Sequence, residues 1–472
     1  MRVRQFVDEG LGNSAHLLIS ERDGVAALVD PLRDVDQYQE VARREGVRIT
    51  HVCETHIHND FVSGSRELAA GTGARIVASA DAGLEFDHQP VRDGDVLAIG
   101  DVSITVLATP GHTPEHVSFL ARDTSHPEQP PVLFSGGSLL VGAVSRTDLL
   151  GHEHATGLAN QLYHTLHDRI LPLGDDVIVH PTHGAGSFCT AAASAESTTT
   201  IGRERRSNPL LALPDPQLFT DRLRASMPSY PAYFDHMRAL NKRGPRVLGH
   251  WPKLTPLSPQ DVQARHRSGE AVVDMRSVHE YARGHIPGVY HVELRPAFAS
   301  WVGWVVPFAT PVVLVSDTTE VHGYAVRQLI RIGYDDLPGY LEGGMDAWER
   351  AGLPVGRSTV LTMREIRQRL EAGEPLLVVD VRQAHEWAAG RIPQAKLIEA
   401  GALRDADLQH LPHDRLIATH CGHGQRAATG LSVLEHRGYR NLAVITEGVD
   451  DWREAGGKVQ QGAPSEPQAA RA

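Results

Sequence analysis

Residues 49–61 read Ile49-Thr50-His51-Val52-Cys53-Glu54-Thr55-His56-Ile57-His58-Asn59-Asp60-Phe61. The first seven are mostly apolar or β-branched and predict a strand; the chain then turns sharply on a His-x-His-x-Asp group. Two imidazoles and a carboxylate on one tight turn at a strand end are donors of the kind a metal site collects. The pattern recurs downstream. Thr109-Pro110-Gly111-His112-Thr113-Pro114-Glu115-His116 follows the predicted strand 102–107, and Pro181-Thr182-His183-Gly184 follows the predicted strand 177–180. A pair of histidines two apart is common by chance, whereas three such groups in order, each after a strand, are not.

Outward from this stretch, residues 15–19 and 26–31 read as a strand hairpin, 35–45 as a helix and 132–135 as a further strand. This alternation suggests two sheets with helices outside, an αββα sandwich. Residues 208–258 are rich in Pro and Leu and read as a linker wrapped on the first domain, with one helix from Phe219 to Met227 stopped by Pro228. The last ten residues, from Ala463, are polar and Ala/Pro-rich and are expected to be disordered.

The second chemical focus is Thr419-His420-Cys421-Gly422-His423-Gly424-Gln425-Arg426-Ala427, between a strand-like and a helix-like run. Cys421 sits where the backbone N–H groups of Gly422, His423, Gly424, Gln425 and Arg426 can cradle an anion at a helix N-terminus, and Arg426 adds a fixed positive charge. Such a loop favours a thiolate or a persulfide. Around it stand Asp380-Val381-Arg382, Glu386-Trp387, Gly390-Arg391-Ile392-Pro393 and Glu447-Gly448-Val449-Asp450-Asp451-Trp452. Asp274-Met275-Arg276, Glu280-Tyr281 and Gly284-His285-Ile286-Pro287 repeat the first three, and Glu342 to Trp348 repeats the last. Asp274, Glu280 and Pro287 precede Asp380, Glu386 and Pro393 by a constant offset, so a domain of about a hundred residues is duplicated. The first copy carries Ser316-Asp317-Thr318-Thr319 at the place of the cysteine loop. It therefore cannot hold a persulfide, and a scaffolding or docking role is expected of it. Asp380 with Arg382 reads as a buried strand-end ion pair, and Trp348, Trp452 and Cys53 read as core.

Composition narrows the class. The 472 residues suffice for about three domains, the formal net charge of −12 with no long basic run argues against nucleic acid, and no apolar run reaches membrane-spanning length. Three cysteines make no disulfide framework and suit a reducing cytoplasm, and the N-terminus lacks an apolar signal core.

The cysteine loop and its flanking motifs resemble a rhodanese (sulfurtransferase) domain over residues 358–460, the first copy being a degenerate member. The histidine motifs resemble the metallo-β-lactamase fold, and the fusion, with Gly184-Ala185-Gly186-Ser187-Phe188-Cys189, resembles the persulfide dioxygenase group. The resemblance implies an αββα sandwich over 1–240 with its wrapping linker, parallel-sheet α/β domains at 255–357 and 358–462, and a tail at 463–472. It also implies a mononuclear non-haem Fe(II) that oxidises a glutathione or related persulfide with O₂ to sulfite and free thiol. Cys421, with Arg426, would move sulfane sulfur between thiosulfate or persulfides and low-molecular-weight thiols. A homo-oligomer is compatible with this reading.

Two residues depart from the family pattern. Phe61 replaces a His of the second metal position, and Gly137 in Gly136-Gly137-Ser138-Leu139 replaces an Asp ligand. Three arrangements stay open: His56, His58 and His112 hold iron as an all-histidine face, with a substrate thiolate as the anionic donor; Asp60 swings in as carboxylate; or the pocket binds thiol-linked molecules without metal. His183 is a further candidate ligand, Cys189 a relay thiol, and Arg146 a pocket-lining residue. The alternatives are a zinc-dependent thioester or lactone hydrolase, and a sulfur-carrier adaptor with only Cys421 active.

Overall fold

Strand β2 (Asn13–Ser20) shows how side-chain alternation builds the N-terminal unit. Leu18 packs into a cluster with Ile104, Val106, Phe119 and Phe134, while Leu17 and Ile19 join Tyr38, Ala42 and Leu68 on the opposite face. One face of the strand thus meets a second sheet and the other meets helices. Each fully buried side chain of this kind contributes about 1.5–3 kcal/mol of transfer free energy.

The structure is a computed structural model; it describes residues 1–190, 194 and 196–462, and the expected disordered tail lies outside them. The first sheet runs in chain order β1 (Arg2–Asp8), β2, β3 (Val25–Val29), β4 (Arg48–Cys53), β5 (Arg75–Ser79) and β6 (Gln89–Val91), antiparallel up to β3 and parallel after it. The second comprises β7 (Val96–Ile99), β8 (Val102–Ala108), β9 (Val117–Asp123), β10 (Val132–Gly136), β11 (Ile178–Pro181) and β12 (Thr199–Thr200), in the order β12-β11-β10-β9-β8-β7. Helices Asp36–Arg44 and Ser65–Thr72 lie with the first sheet's outer cluster. The expected αββα sandwich is the observed architecture. Its turns at the ends of β4, β8 and β11 carry the histidine motifs, and the turn after β10 carries Gly137.

The stretch read as a linker holds two helices, Pro216–Ala225 and Phe234–Arg243. The first starts on Asp215, whose side chain accepts from the N–H groups of Gln217 and Leu218, with Pro216 in the first turn. Contacts divide the chain into one unit of Met1–Met227, Phe234–Trp251 and Ile330–Gly333 and another of Pro228–Tyr233, Pro252–Leu329 and Tyr334 onward.

The second unit contains two parallel five-stranded sheets. β13 (Thr255–Leu257), β14 (Ala271–Asp274), β15 (Tyr290–His291), β16 (Val312–Val315) and β17 (Gly339–Leu341) run in the order β13-β17-β16-β14-β15. β18 (Thr359–Leu361), β19 (Leu376–Asp380), β20 (Lys396–Leu397), β21 (Leu416–His420) and β22 (Leu442–Ile445) repeat it as β18-β22-β21-β19-β20. The register equates the copies: Asp274 pairs with Val315, and Asp380 with His420. Ser316 therefore stands at the position of Cys421. Among the described residues no helix is long and apolar enough to cross a membrane.

Candidate active sites

The histidine turn is pinned by Asp30, at the end of β3. This non-glycine residue has φ of 50°, a strained conformation found where surrounding contacts fix it. Its carboxylate accepts from Thr55 N–H at 2.8 Å, Thr55 Oγ1 at 2.7 Å and the Thr182 hydroxyl, and lies 3.3 Å from His58 Nε2. Since Thr55 Oγ1 donates to Asp30, it accepts from His56 Nδ1–H, at 2.9 Å, which leaves His56 Nε2 with its lone pair facing inward. His58 Nε2–H donates to Glu54 at 3.1 Å, and Glu54 is in turn held by the hydroxyls of Ser63 and Ser65. Burial opposes charge on His58, yet with no metal bound Asp30 and Glu54 outweigh it and raise its pKa to about 10, so a metal ion at Nδ1 would take the place of a proton. Burial likewise raises Asp30, but His58 brings it down to about 2.

His112 Nδ1–H donates to the Arg146 carbonyl at 2.7 Å, and burial, then His183, lowers the His112 pKa to about 3. His183 Nδ1–H donates to Asn13 Oδ1 at 3.0 Å and lies 3.2 Å from Asp60; its Nε2 sits 3.4 Å from His56 Nε2. Four imidazoles are thus each tied through one nitrogen, and the other nitrogens fall into groups that meet at His183. His58 Nδ1 and His112 Nε2 are buried with no hydrogen-bond partner. A buried ring nitrogen without a partner is costly, and a bound cation removes that cost. The donors fit a metal ion. Among the described residues three trios have ligand atoms within 4.8 Å of one another: His56, His58 and His183; His112, His183 and Cys189; and Asp30, Glu54 and His58.

The carboxylate of the standard triad does not fit. A Cβ at Gly137 would lie 2.4 Å from His112 Cδ2, 2.9 Å from its Cγ and 3.0 Å from Ser145 Oγ. Gly137 N–H donates to His116 Nε2 at 2.9 Å, and the His116 ring stacks on His56 at 5.0 Å. Phe61, at the other departure, is buried and stacks on His58 with centroids 4.2 Å apart.

Beside His56 and His58 a cleft holds about 420 Å³ of empty space, part of it open to solvent, with Leu84, Phe86, Arg66 and Glu115 among its walls. Arg66 lies over the Phe86 ring at 5.4 Å, and Arg238 pairs with Glu115 through two bonds of 3.0 and 2.8 Å. Asn241 donates to the carbonyls of His58 and Phe61, so the second linker helix clamps the turn.

In the second unit, Cys421 is buried at the N-terminus of helix Gln425–His436, and its Sγ accepts from Gly424 N–H at 3.2 Å. Gly424 has φ of 91°, open to glycine and strained for other residues. Arg426 engages Glu386 through both guanidinium NH groups, one bond being 2.9 Å. In the first copy Ser316 Oγ instead bonds His322 Nε2 at 2.7 Å and donates to Thr318 O at 2.8 Å.

Comparison with known proteins matches the Metallo-beta-lactamase superfamily to residues 9–183 and the Rhodanese-like domain to residues 258–351 and 362–455. Hydroxyacylglutathione hydrolase of Polaromonas sp. (strain JS666 / ATCC BAA-500) is 33% identical over 46% of this chain and 88% of that protein. Mitochondrial persulfide dioxygenase ETHE1 of Homo sapiens is 30% identical over 45% of this chain and 76% of that protein. The chain belongs to the metallo-β-lactamase superfamily, with two rhodanese-like domains after the sandwich. A crystal structure of a metallo-β-lactamase from Staphylococcus aureus subsp. aureus COL superposes with a TM-score of 0.65 at 32% identity, over 72% of this chain and 98% of that one.

Of the residues singled out in sequence, the metallo-β-lactamase domain gathers His56, His58, Asp60, His112, His183 and Cys189, with His183 common to two of the trios. Asp60 is directed to His183. Arg146 is 1% exposed and holds Asp148 at 2.7 and 2.8 Å and the Phe188 carbonyl at 2.9 Å, so its head group braces the loop and does not line the cleft. Asp380 and Arg382 form the expected buried pair, at 2.9 and 2.6 Å. Sequence reasoning missed Asp30, Glu54, His116, Arg238 and Asn241. Asp30-Pro31 at a strand end and Glu115-His116 inside a quoted motif were the available signals.

Proposed function

We propose that the chain is a sulfur-metabolising enzyme that couples sulfane sulfur transfer at Cys421 to persulfide oxidation in the metallo-β-lactamase domain. Its functional divisions are residues 1–240, 255–357 and 358–462, and it works in the reducing cytoplasm on hydrogen sulfide- and glutathione-linked sulfur. The observation that carries the reading is the convergence of four imidazoles each tied through one nitrogen, two with buried partnerless nitrogens, in a chain that also holds a cradled cysteine.

The Cys421 thiolate attacks the outer sulfur of thiosulfate; the new S–S bond forms as sulfite leaves with the electron pair of the old one. The backbone N–H of Gly424 and its neighbours balance charge on the sulfur, and Glu386 holds Arg426 beside the loop. A low-molecular-weight thiol then takes the sulfur as its persulfide. In the first domain, a mononuclear non-haem Fe(II) held in the histidine cluster would supply activation of O₂. Arg66 and the apolar wall around Phe86 bind and orient the thiol compound. The overall change balances: a persulfide, O₂ and water give thiol, sulfite and two protons, the outer sulfur losing four electrons that O₂ takes up. The relatedness to ETHE1 supports this reading.

The test is sulfite release with equal O₂ uptake from a glutathione persulfide by the intact chain, with Cys421→Ser losing only the thiosulfate-dependent part. Sulfur transfer without O₂ uptake would reject the oxidation step. The hydrolase relative supports a second reading, zinc-dependent thioester hydrolysis. It predicts tightly held zinc and thioester turnover, which Phe61 and Gly137 disfavour by removing donors for a second metal.

A further inference from the structure

The centre described above lacks an anionic ligand at the place its superfamily expects one, and the space for it is filled by the His112 ring. We propose that Cys189 is that anionic ligand: its thiolate, with His112 Nε2 and His183 Nε2, binds a divalent transition metal in a His₂Cys site. This rests on the reading of the N-terminal domain as a metal enzyme.

Three observations converge. The ligand atoms of His112, His183 and Cys189 already lie within 4.8 Å of one another. Metal–nitrogen and metal–sulfur bonds of about 2.0 and 2.3 Å place tetrahedral donors roughly 3.3–3.6 Å apart, so closure of about 1 Å suffices. Second, His112 Nε2 is buried without a partner and must carry its lone pair, because Nδ1–H is spent on a carbonyl. Third, one residue fixes both ligands: the Arg146 carbonyl receives His112 Nδ1–H at 2.7 Å, and the Arg146 N–H donates to the Cys189 carbonyl at 2.8 Å. A bridge between Ser145 and Thr190 and the bond from the Arg146 guanidinium to Phe188 O hold the same register. His56 Nε2, 3.4 Å from His183 Nε2, is the next donor in reach.

A buried cysteine is ordinarily a small hydrophobe. Cys189 is fully buried, but among His112, His183 and Asp60, where an apolar side chain has nothing to gain. Burial, and then Asp60, keep its thiol neutral without metal. On uptake the S–H proton leaves to solvent as the metal–sulfur bond forms, and the metal stays divalent throughout. Thiolate in place of carboxylate makes the site softer and shifts its preference toward thiophilic ions.

The experiment is a Co(II) titration of the metal-free, full-length protein carrying Cys421→Ser, followed by absorption. A near-ultraviolet thiolate-to-cobalt charge-transfer band saturating at one ion per chain is expected. Cys189→Ser removes the band and weakens cobalt binding at least tenfold, the lower bound set by losses of outer-sphere partners alone. Cobalt bound without the band in the Cys189-containing protein, the same band in Cys189→Ser, or no cobalt uptake each overturns the proposal. The first of these needs no new variant, so a folding defect in Cys189→Ser does not protect the idea. Sulfite release with O₂ uptake in a protein lacking the band would sink this ligand assignment alone; the band without turnover would sink the oxidation reading alone.

Discussion

Restoring the superfamily's carboxylate by Gly137→Asp is predicted to damage the centre. The new Cβ would stand 2.4 and 2.9 Å from two carbons of the His112 ring and 3.0 Å from Ser145 Oγ. Ring carbons of a buried histidine anchored at 2.7 Å to Arg146 O have little room to retreat. Overpacking of this kind costs about 1–3 kcal/mol. At about 2–4 °C per kcal/mol for a unit of this size, the N-terminal unit should melt roughly 2–12 °C lower. Gly137→Ala shares the Cβ and should lose a similar amount, which separates crowding from charge. Metal content after purification should fall in both variants, because His112 is displaced from the position at which its Nε2 faces His183. Thermal unfolding followed by circular dichroism, with elemental analysis of the same samples, measures both effects. A Gly137→Asp protein that melts at or above the wild-type temperature and retains more metal would refute the steric argument.

Other perturbations address other parts of the chain. Installing Ser316→Cys in a Cys421→Ser background should yield no thiosulfate sulfurtransferase activity, because His322 and the Asp317-Thr318-Thr319 backbone replace the glycine cradle; activity above a tenth of wild type would contradict this. Glu386→Gln should lower sulfur transfer at Cys421 while leaving O₂ uptake on a supplied persulfide unchanged, since it loosens only the Arg426 pair; two separate rate assays read it. Glu435 accepts from Gly288 N–H at 3.0 Å and lies 3.2 Å from His285 Nε2, joining the two rhodanese-like repeats. Burial raises its pKa, but His285 holds it below the usual 4.5, so its stabilisation is present above that value and is lost as pH falls through the lower folded value. An acid titration of unfolding should lose about 1.5–3 kcal/mol there, and Glu435→Gln should flatten the dependence.

The readable part of this molecule is the part whose chemistry is local. His56-Ile57-His58-Asn59-Asp60 must be close in sequence because one turn has to present all its donors, and Cys421 to Arg426 must be contiguous because a cradle is made of successive N–H groups. Repetition helped further: the shared offset fixed the duplication before any strand was seen, and the two sheets repeat one strand order. What stayed hidden is what a donor needs from elsewhere. Asp30 orients His56 through Thr55 from a strand 25 residues away in sequence, and Asn241 reaches the turn from a helix inside a stretch that composition marks as linker. Neither has a spacing rule, because only the tertiary fold sets those distances.

The two substitutions that depart from the superfamily pattern have different consequences in three dimensions. Phe61 fills its place by stacking on His58, so the loss of one histidine is absorbed as packing. Gly137 is different: the His112 ring occupies the space a Cβ would take, and His116 Nε2 accepts from the Gly137 N–H. The donor that leaves is a carboxylate, and an all-imidazole site would keep a metal's full double charge in a buried pocket. Charge on that scale is not left uncompensated in a low-dielectric interior. The compensation has to come from a nearby anion such as Asp30 or Asp60, from the substrate's sulfur, or from the Cys189 thiol beside His112 and His183. The sequence alone ranks the substrate first. The geometry favours the thiol, because Arg146 holds His112 through its carbonyl and Cys189 through its N–H.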